Sequence, residues 1–236
     1  MLFVHEVHQV VGVKEDEFEA AYRDGWMPTL AKDDDARLLW YMNHAHGSGV
    51  SYNVVTITGV RDGAAWERLA RRMQQGDLQD WAAEVDTYRH DVTGKILLPV
   101  YWSPMQEVDF AQVPTDGAEH DLSLFMEDTG WPYSSVDDYI KMWDELYNRP
   151  ILASAEGRGT VTIDVQACFQ VAHGTHLRRE AMLWQKIADP ATVLHLLTHD
   201  LAPEMRRPGT YMDESLKYRD QWESKLLRTS KWSPLY

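Results

Sequence analysis

The feature that most constrains this chain is that it repeats itself. Tyr101-Trp102-Ser103-Pro104 returns as Lys231-Trp232-Ser233-Pro234 at a spacing of 130, and the same spacing carries Tyr88-Arg89 onto Tyr218-Arg219 and Lys95-Ile96-Leu97 onto Lys225-Leu226-Leu227. Trp81 then corresponds to Tyr211. Ala45-His46-Gly47 matches Ala172-His173-Gly174, and Asp62-Gly63-Ala64 matches Asp189-Pro190-Ala191, both at 127. Nearer the start, Met27-Pro28-Thr29-Leu30-Ala31 answers Arg149-Pro150-Ile151-Leu152-Ala153 at 122. Matched blocks in one order, at slowly growing offsets, describe a duplicated unit. The last growth implies an insertion in the second copy, placed around 203–209, where Pro and Gly interrupt the pattern.

Each copy reads strand, helix, strand, strand, helix, strand. In the first, residues 3–10 are β-branched and aromatic, and 15–30 carry Phe18, Tyr22 and Trp26 at helical spacing. Segments 38–44 and 52–58 flank the turn residues His46-Gly47-Ser48-Gly49 as a hairpin, a helix broken near Gly76 covers 64–90, and 95–101 closes the unit. The second copy runs through 122–127, 136–147, 161–171, 178–186, an interrupted helix over 191–222, and a short strand near 225–230. The order βαββαβ is the split, ferredoxin-like unit. The expected class is therefore α+β, with repeat 1 at 1–104, a linker at 105–120 without periodicity, and repeat 2 at 121–236.

Composition removes several function classes. Lys plus Arg total 23 against 37 Asp plus Glu, and a net charge of −14 repels phosphate backbones and anionic headgroups, so neither nucleic acid nor a membrane surface is an expected partner. No apolar run reaches the roughly 18 residues a spanning helix needs, and the start MLFVHEVHQV lacks the pattern of a secretion signal. The lone Cys168 excludes an intrachain disulfide and a Cys-based zinc cage, which makes a reducing cytoplasm the expected location. Ten Trp, eleven Tyr and ten Met are bulky liners of apolar pockets and point to a small-molecule cavity.

The tandem units, each closing with Trp-Ser-Pro after a Lys-apolar-apolar strand, resemble the dimeric α/β-barrel superfamily and, within it, NIPSNAP-like proteins. The resemblance covers both halves. It implies two four-stranded sheets facing each other around a pocket, here fused into a barrel within one chain. Members of that superfamily include cofactor-free monooxygenases, polyketide cyclases, isomerases, lyases and haem enzymes, so the fold alone does not fix the chemistry.

If the units close a barrel, alternation along each strand separates a helix-facing row from a lumen-facing row. Over 161–171 the apolar row is Val161, Ile163, Val165, Ala167, Phe169 and Val171, which leaves Asp164, Gln166, Cys168 and Gln170 for the lumen. The repeat then places Tyr41 and Asn43 on the lumen face of copy one, with Trp40 and Met42 against the helices. On the following strands Glu180, Met182 and Trp184 face inward, matched by Asn53, Val55 and Ile57. Asp164 and Glu180 are the candidate acid and base, because a carboxyl in an aromatic pocket loses hydration and its pKa rises; an ion pair with Arg178 or Arg179 is the plainer alternative. His5 and His8 have opposite facing, and His5 is the lumen candidate if Val4 packs on the helices as Leu124 does. Trp131 belongs to the loop 128–133, either an aromatic lid or a helix entry capped by Ser134 or Ser135.

Other residues read as structural. His195 and His199 have ligand-like spacing but correspond to Arg68 and Arg72 on a solvated face, so no metal site is expected. His46 and His173 recur at equivalent turns, as turn chemistry or, alternatively, as an acid or base at the pocket rim, and Tyr88-Arg89 and Tyr218-Arg219 recur as ties between a helix and its sheet. The leading expectation is a cofactor-independent enzyme acting on a small hydrophobic or aromatic metabolite by acid–base chemistry in the barrel pocket, of lyase, isomerase, cyclase or monooxygenase type. The alternatives are a haem-binding protein of the same superfamily and a non-catalytic carrier, the latter favoured if the lumen is filled by Trp and Met. A homodimer stays open, since the sequence marks no exposed helix face for it.

Overall fold

The computed structural model describes residues 1–158, 162–174 and 178–236; Val161 of the expected sixth strand lies outside the described residues. Eight strands, β1 (Leu2–Val10), β2 (Ala36–His44), β3 (Asn53–Val60), β4 (Arg89–Pro99), β5 (Leu124–Gly130), β6 (Ile163–Gly174), β7 (Ala181–Ile187) and β8 (Trp222–Thr229), form a closed barrel in the order β1-β3-β2-β8-β5-β7-β6-β4. Each half contributes a sheet of the same internal order, β4-β1-β3-β2 and β8-β5-β7-β6. The two seams, β2 with β8 and β4 with β6, are antiparallel like every other pair. The fold is the expected one, a fused α+β barrel of two βαββαβ units.

Helices cover the outside. In the first half α1 runs through Glu15–Ala20, a wider π-turn at Ala21–Trp26 and Met27–Leu30, followed by α2 (Gly63–Gln75) and α3 (Gln79–Asp86). In the second half α4 repeats that build through Val136–Trp143, a π-turn at Asp144–Asn148 and Arg149–Arg158, and α5 (Pro190–Thr198) and α6 (Tyr211–Ser215) follow. The matched Asp62 and Asp189 are N-caps, accepting from Ala65 N at 2.8 Å and Ala191 N at 2.9 Å. Ser135 caps α4 in the same way. The interruption expected in the second-copy helix over 191–222 falls at Pro203 to Gly209, where a 3₁₀ turn and a positive φ at Gly209 separate α5 from α6; both helices are shorter than expected. No helix among the described residues is long and apolar enough to cross a membrane.

The middle of the lumen holds a cluster of buried apolar side chains. Phe3, Leu39, Trp40, Met42 and Ile57 from the first half meet Phe125, Phe169, Met182, Trp184 and Leu227 from the second. Trp40 and Trp184 cross edge-on at 5.5 Å, and Phe3 lies 4.9 Å from Phe169. Met105, Val108 and Val113 of the linker pack on this cluster and close the apolar end.

The strand-facing expectation fails at one repeated device. β2 shifts register between Leu38 and Trp40, and β6 shifts between Val165 and Ala167, at positions equivalent by the offset of 127. Each shift is a bulge, and a bulge inverts the alternation beyond it. Trp40 and Met42 therefore point into the lumen, while Tyr41 turns to the first helix layer and Asn43 follows it. Likewise Ala167 and Phe169 point inward, whereas Cys168 joins the second helix layer and Gln170 is exposed.

The Trp-Ser-Pro repeat has its explanation at the same place. Ser233 Oγ accepts from Tyr41 N at 3.1 Å and Ser103 Oγ accepts from Cys168 N at 2.9 Å, each the amide just past the other half's bulge. Trp102 donates to Ile140 O at 3.1 Å, and Trp232 donates to Glu19 at 2.5 Å. Each half thus latches onto its sister and satisfies a strand amide that lies just beyond the end of the seam ladder.

Candidate functional site

Two polar constellations arise from the first strand, one on each of its faces. On the inner face His5 Nε2 lies 2.7 Å from Glu127 Oε2, and both residues are 1% exposed. Their separation of 122 is the repeat offset, so they are the same position in the two halves meeting across the barrel. Lys225 reaches the other Glu127 oxygen at 3.1 Å, and Lys95, its counterpart at 130, pairs with Glu180 at 2.6 Å. Burial acts to raise the Glu127 pKa, but His5, Lys225 and Lys95 outweigh it and hold the carboxyl far below its ordinary range. This network fastens the halves together through the lumen.

On the outer face, Val4, Glu6 and His8 turn toward α1, α2 and α3. Here the helices stand off the sheet and leave a cleft of about 360 Å³. Its floor includes Val4, Glu6, Thr58, Gly94 and Ile96, and its walls are Tyr22 and Trp26 of α1, Trp66, Leu69 and Met73 of α2, and Trp81 of α3. The π-turn carries Tyr22 and Trp26, and Trp26 stacks on Trp81 at 4.5 Å with 20° between the rings. Gly25 allows that approach, since a Cβ there would meet the Trp81 ring at 2.9 Å. Glu6 pairs across the sheet with Thr56 on one side and Gly94 on the other, so the missing side chain of Gly94 opens the space beside the carboxyl. Burial pushes the Glu6 pKa up against the lowering effect of Arg89. Arg89 itself is held by Asp86 at 2.5 Å and reaches His8 Nδ1 at 2.8 Å, tying α3 to the sheet as the Tyr-Arg repeat suggests.

The equivalent region of the second half is filled. Gly130 stands where the first half has His8, and the Tyr139 ring occupies the room this leaves; a Cβ on Gly130 would overlap the Tyr139 hydroxyl. Tyr139 and Trp143 pack at 4.4 Å, and Tyr147 and Tyr211 at 4.9 Å. Asp128, the counterpart of Glu6, is sealed beneath them, accepts from Gln185 Nε2 at 2.9 Å, and is pushed up to about 6 by burial. The two halves thus differ in this layer, the first leaving a cleft and the second filling the equivalent space.

Asp128 gives a stability prediction. Its folded pKa is raised above its ordinary 3.8, so folding favours the protonated form and stability falls as pH rises through about 4 to 6. Asp128→Asn mimics the protonated acid and should stabilise the protein at pH 7 by up to about 3 kcal/mol, roughly 6 to 12 °C in Tm. Thermal melts should show the gain vanishing below about pH 4; equal melting at pH 7 contradicts the buried, raised carboxyl.

His173, whose alternative reading was a rim acid or base, lines the outer cleft; Asp164, Glu180, His5 and the expected substrate-binding residues do not. His5 and Glu180 are buried in the lumen network, with Val4 on the helix side as His5's placement requires. Asp164 is exposed at the start of β6 and accepts from Gln166 at 2.6 Å. Asn53 and Trp184 face the lumen as expected, while Tyr41, Cys168 and Gln170 do not. Burial raises the Cys168 thiol well above its ordinary range, which leaves it protonated and unreactive. Trp131 carries Arg178 over its ring at 5.3 Å. His195 of α5 and His199, the extended residue that ends it, stack on each other and are exposed. Glu6, Gly94 and Trp81 were not singled out for a site; the repeat offset that pairs Glu6 with Asp128 was the available signal.

No family model matches the chain, and no curated protein matches at a significant level. Solved structures do. A DyP-type peroxidase from Mycobacterium smegmatis aligns over 98% of this chain and 92% of its own at 7% identity, TM-score 0.56. An anthrone oxidase-like protein aligns over 97% and 91% at 8% identity, TM-score 0.55. A NIPSNAP domain protein from Burkholderia xenovorans covers 44% of this chain and 99% of its own, at 20% identity and TM-score 0.38. The full-length likenesses establish the fold.

Proposed function

We propose that the chain is an enzyme that binds a small hydrophobic or aromatic metabolite in the first-half cleft and moves a proton on it with Glu6. The observation that carries this reading is the pairing of Glu6 with Gly94 on the floor of an aromatic-walled cavity. A carboxyl whose pKa is raised by burial, open to a ligand on one side only, is poised for proton transfer, and a cleft of about 360 Å³ is of ligand size. Abstraction of a proton next to a carbonyl or on a phenol is the first step common to isomerases, lyases, cyclases and cofactor-free oxygenation. The likeness to an anthrone oxidase-like protein agrees with a flat ring substrate. Trp40, Trp184, Met42 and Met182 occupy the lumen, which for the barrel interior favours the non-catalytic reading and leaves the outer cleft as the place of turnover.

Haem chemistry fits less well. His8, the histidine under the cleft, has Nδ1 committed to Arg89 and Nε2 to Thr56 and Tyr22, so it offers no lone pair to iron. His173, at the rim, is the residue a haem reading would have to use.

The test uses 2-tetralone, a two-ring ketone with acidic hydrogens beside its carbonyl. Protein in deuterated buffer should accelerate exchange of those hydrogens, followed by NMR. Gly94→Val projects a branched side chain into the cleft and should abolish the acceleration with the fold retained. Binding of 2-tetralone without exchange would identify a carrier, and exchange unaffected by Gly94→Val would place the chemistry elsewhere.

A further inference from the structure

Beneath the cleft lies a hydrogen-bond chain whose direction is fixed by chemistry. Arginine only donates, so Arg89 Nη1, 2.8 Å from His8 Nδ1, makes that nitrogen an acceptor. His8 is fully buried and held in its neutral form by burial and by Arg89, so its one proton resides on Nε2. That nitrogen lies 3.0 Å from Thr56 Oγ1 and 3.2 Å from Tyr22 Oη. Nε2–H donates and cannot accept. Tyr22 therefore cannot give its hydroxyl proton to the histidine, although His8 is its hydrogen-bond neighbour. Tyr22 also lines the cleft, and Glu6 stands directly across the strand pair from Thr56, close enough for its charge to act on Tyr22.

We infer that Tyr22 is the hydrogen-bond donor to an oxygen of the substrate, and that the ligand class is a flat ring compound bearing a ketone or phenol. This rests on the cleft being the site. For a ketone, the Glu6 carboxylate takes the proton from the carbon beside the carbonyl, and the C–H electron pair forms the new C=C bond. The carbonyl π pair moves onto oxygen, and Tyr22 O–H holds the resulting enolate. Return of the proton from Glu6 to a conjugated carbon completes a 1,3 shift with no oxidant and no net charge change. For a phenol, the hydroxyl donates to Glu6 and its oxygen accepts from Tyr22. The tautomer imposed by Arg89 through His8 removes the histidine as an acceptor of the Tyr22 proton, so the substrate oxygen competes for it only with the Thr56 hydroxyl, the other side chain that hydrogen-bonds Tyr22.

The experiment is a titration of tryptophan fluorescence, reporting Trp26 and Trp81, with 2-naphthol and with naphthalene. Wild type should prefer 2-naphthol by at least about tenfold, about 1.4 kcal/mol. Tyr22→Phe should bind naphthalene as wild type does, which certifies the fold and the cleft, and lose about tenfold of its preference for 2-naphthol. A preference retained in Tyr22→Phe, or absent from wild type while naphthalene still binds, overturns the role of Tyr22 and leaves the cleft standing. Failure of both compounds to bind overturns the cleft and this inference with it.

Discussion

Glu6→Gln should lower the catalysed exchange of 2-tetralone by at least about a hundredfold, the low end of what a positioned acid–base group contributes. Glutamine keeps the shape of the side chain on the cleft floor and removes only its capacity to take and return a proton. Among the described residues the carboxyl makes no hydrogen bond, and burial raises its pKa more than Arg89 lowers it, so the neutral amide costs the fold nothing and the melting temperature at pH 7 should not fall. Binding of 2-naphthol should weaken far less than turnover, which separates chemistry from recognition. In wild type the rate should climb with pH through a pKa above the ordinary 4.5 of glutamate, because burial raises it more than Arg89 lowers it and the base is the ionised form. The variant should show no such rise. Undiminished exchange in Glu6→Gln contradicts the assignment.

The largest stability effect belongs to the lumen. Glu127→Ala strands His5, 1% exposed, and leaves Lys225 with the half-exposed Glu223 as its remaining partner at 3.0 Å. Removing one member of a buried charged pair costs about 3 to 5 kcal/mol, which at this chain length is a fall of roughly 6 to 20 °C in Tm. The pair links equivalent strands of the two halves, so its loss weakens their association as well as one site. Replacing both His5 and Glu127 by leucine should recover much of the loss, since no group is then left uncompensated. The sign with pH follows from the depressed Glu127 pKa: its contribution is present above about 4.5 and is lost progressively as pH falls toward the lower folded value. Glu127→Gln should lack that acid-side slope. Melting curves at pH 7 and pH 3 measure both effects, and a Glu127→Ala protein as stable as wild type contradicts the network.

Much of the architecture is legible in the sequence because duplication is. The offsets of 122, 127 and 130 align N-caps Asp62 and Asp189, the Tyr-Arg ties and the Trp-Ser-Pro latches. The offset of 122 also joins His5 to Glu127. The bulges at Leu39 and Gln166 are not legible, because alternation assumes an unbroken ladder and a single inserted residue inverts everything after it. That inversion moved Tyr41 and Cys168 out of the lumen and Trp40 and Phe169 into it, which turned an expected pocket into a core. The cleft was hidden for a different reason. Whether helices stand off a sheet or settle on it depends on small residues at contact points, here Gly94 and Gly25 in the first half and Gly130 in the second. Those glycines acquire meaning only when the side chain facing each one is known, Trp81 for Gly25, Tyr139 for Gly130 and Glu6 for Gly94.

The central claim is that the ligand site lies between the first sheet and its helices and not in the barrel. A crystal structure of the protein with 2-naphthol tests it most directly. The account predicts the naphthalene rings against Trp26 and Trp81, with the hydroxyl within hydrogen-bond distance of Glu6 and Tyr22. A ligand bound in the lumen beside His5 and Lys95, or beneath the helices of the second half, would contradict it.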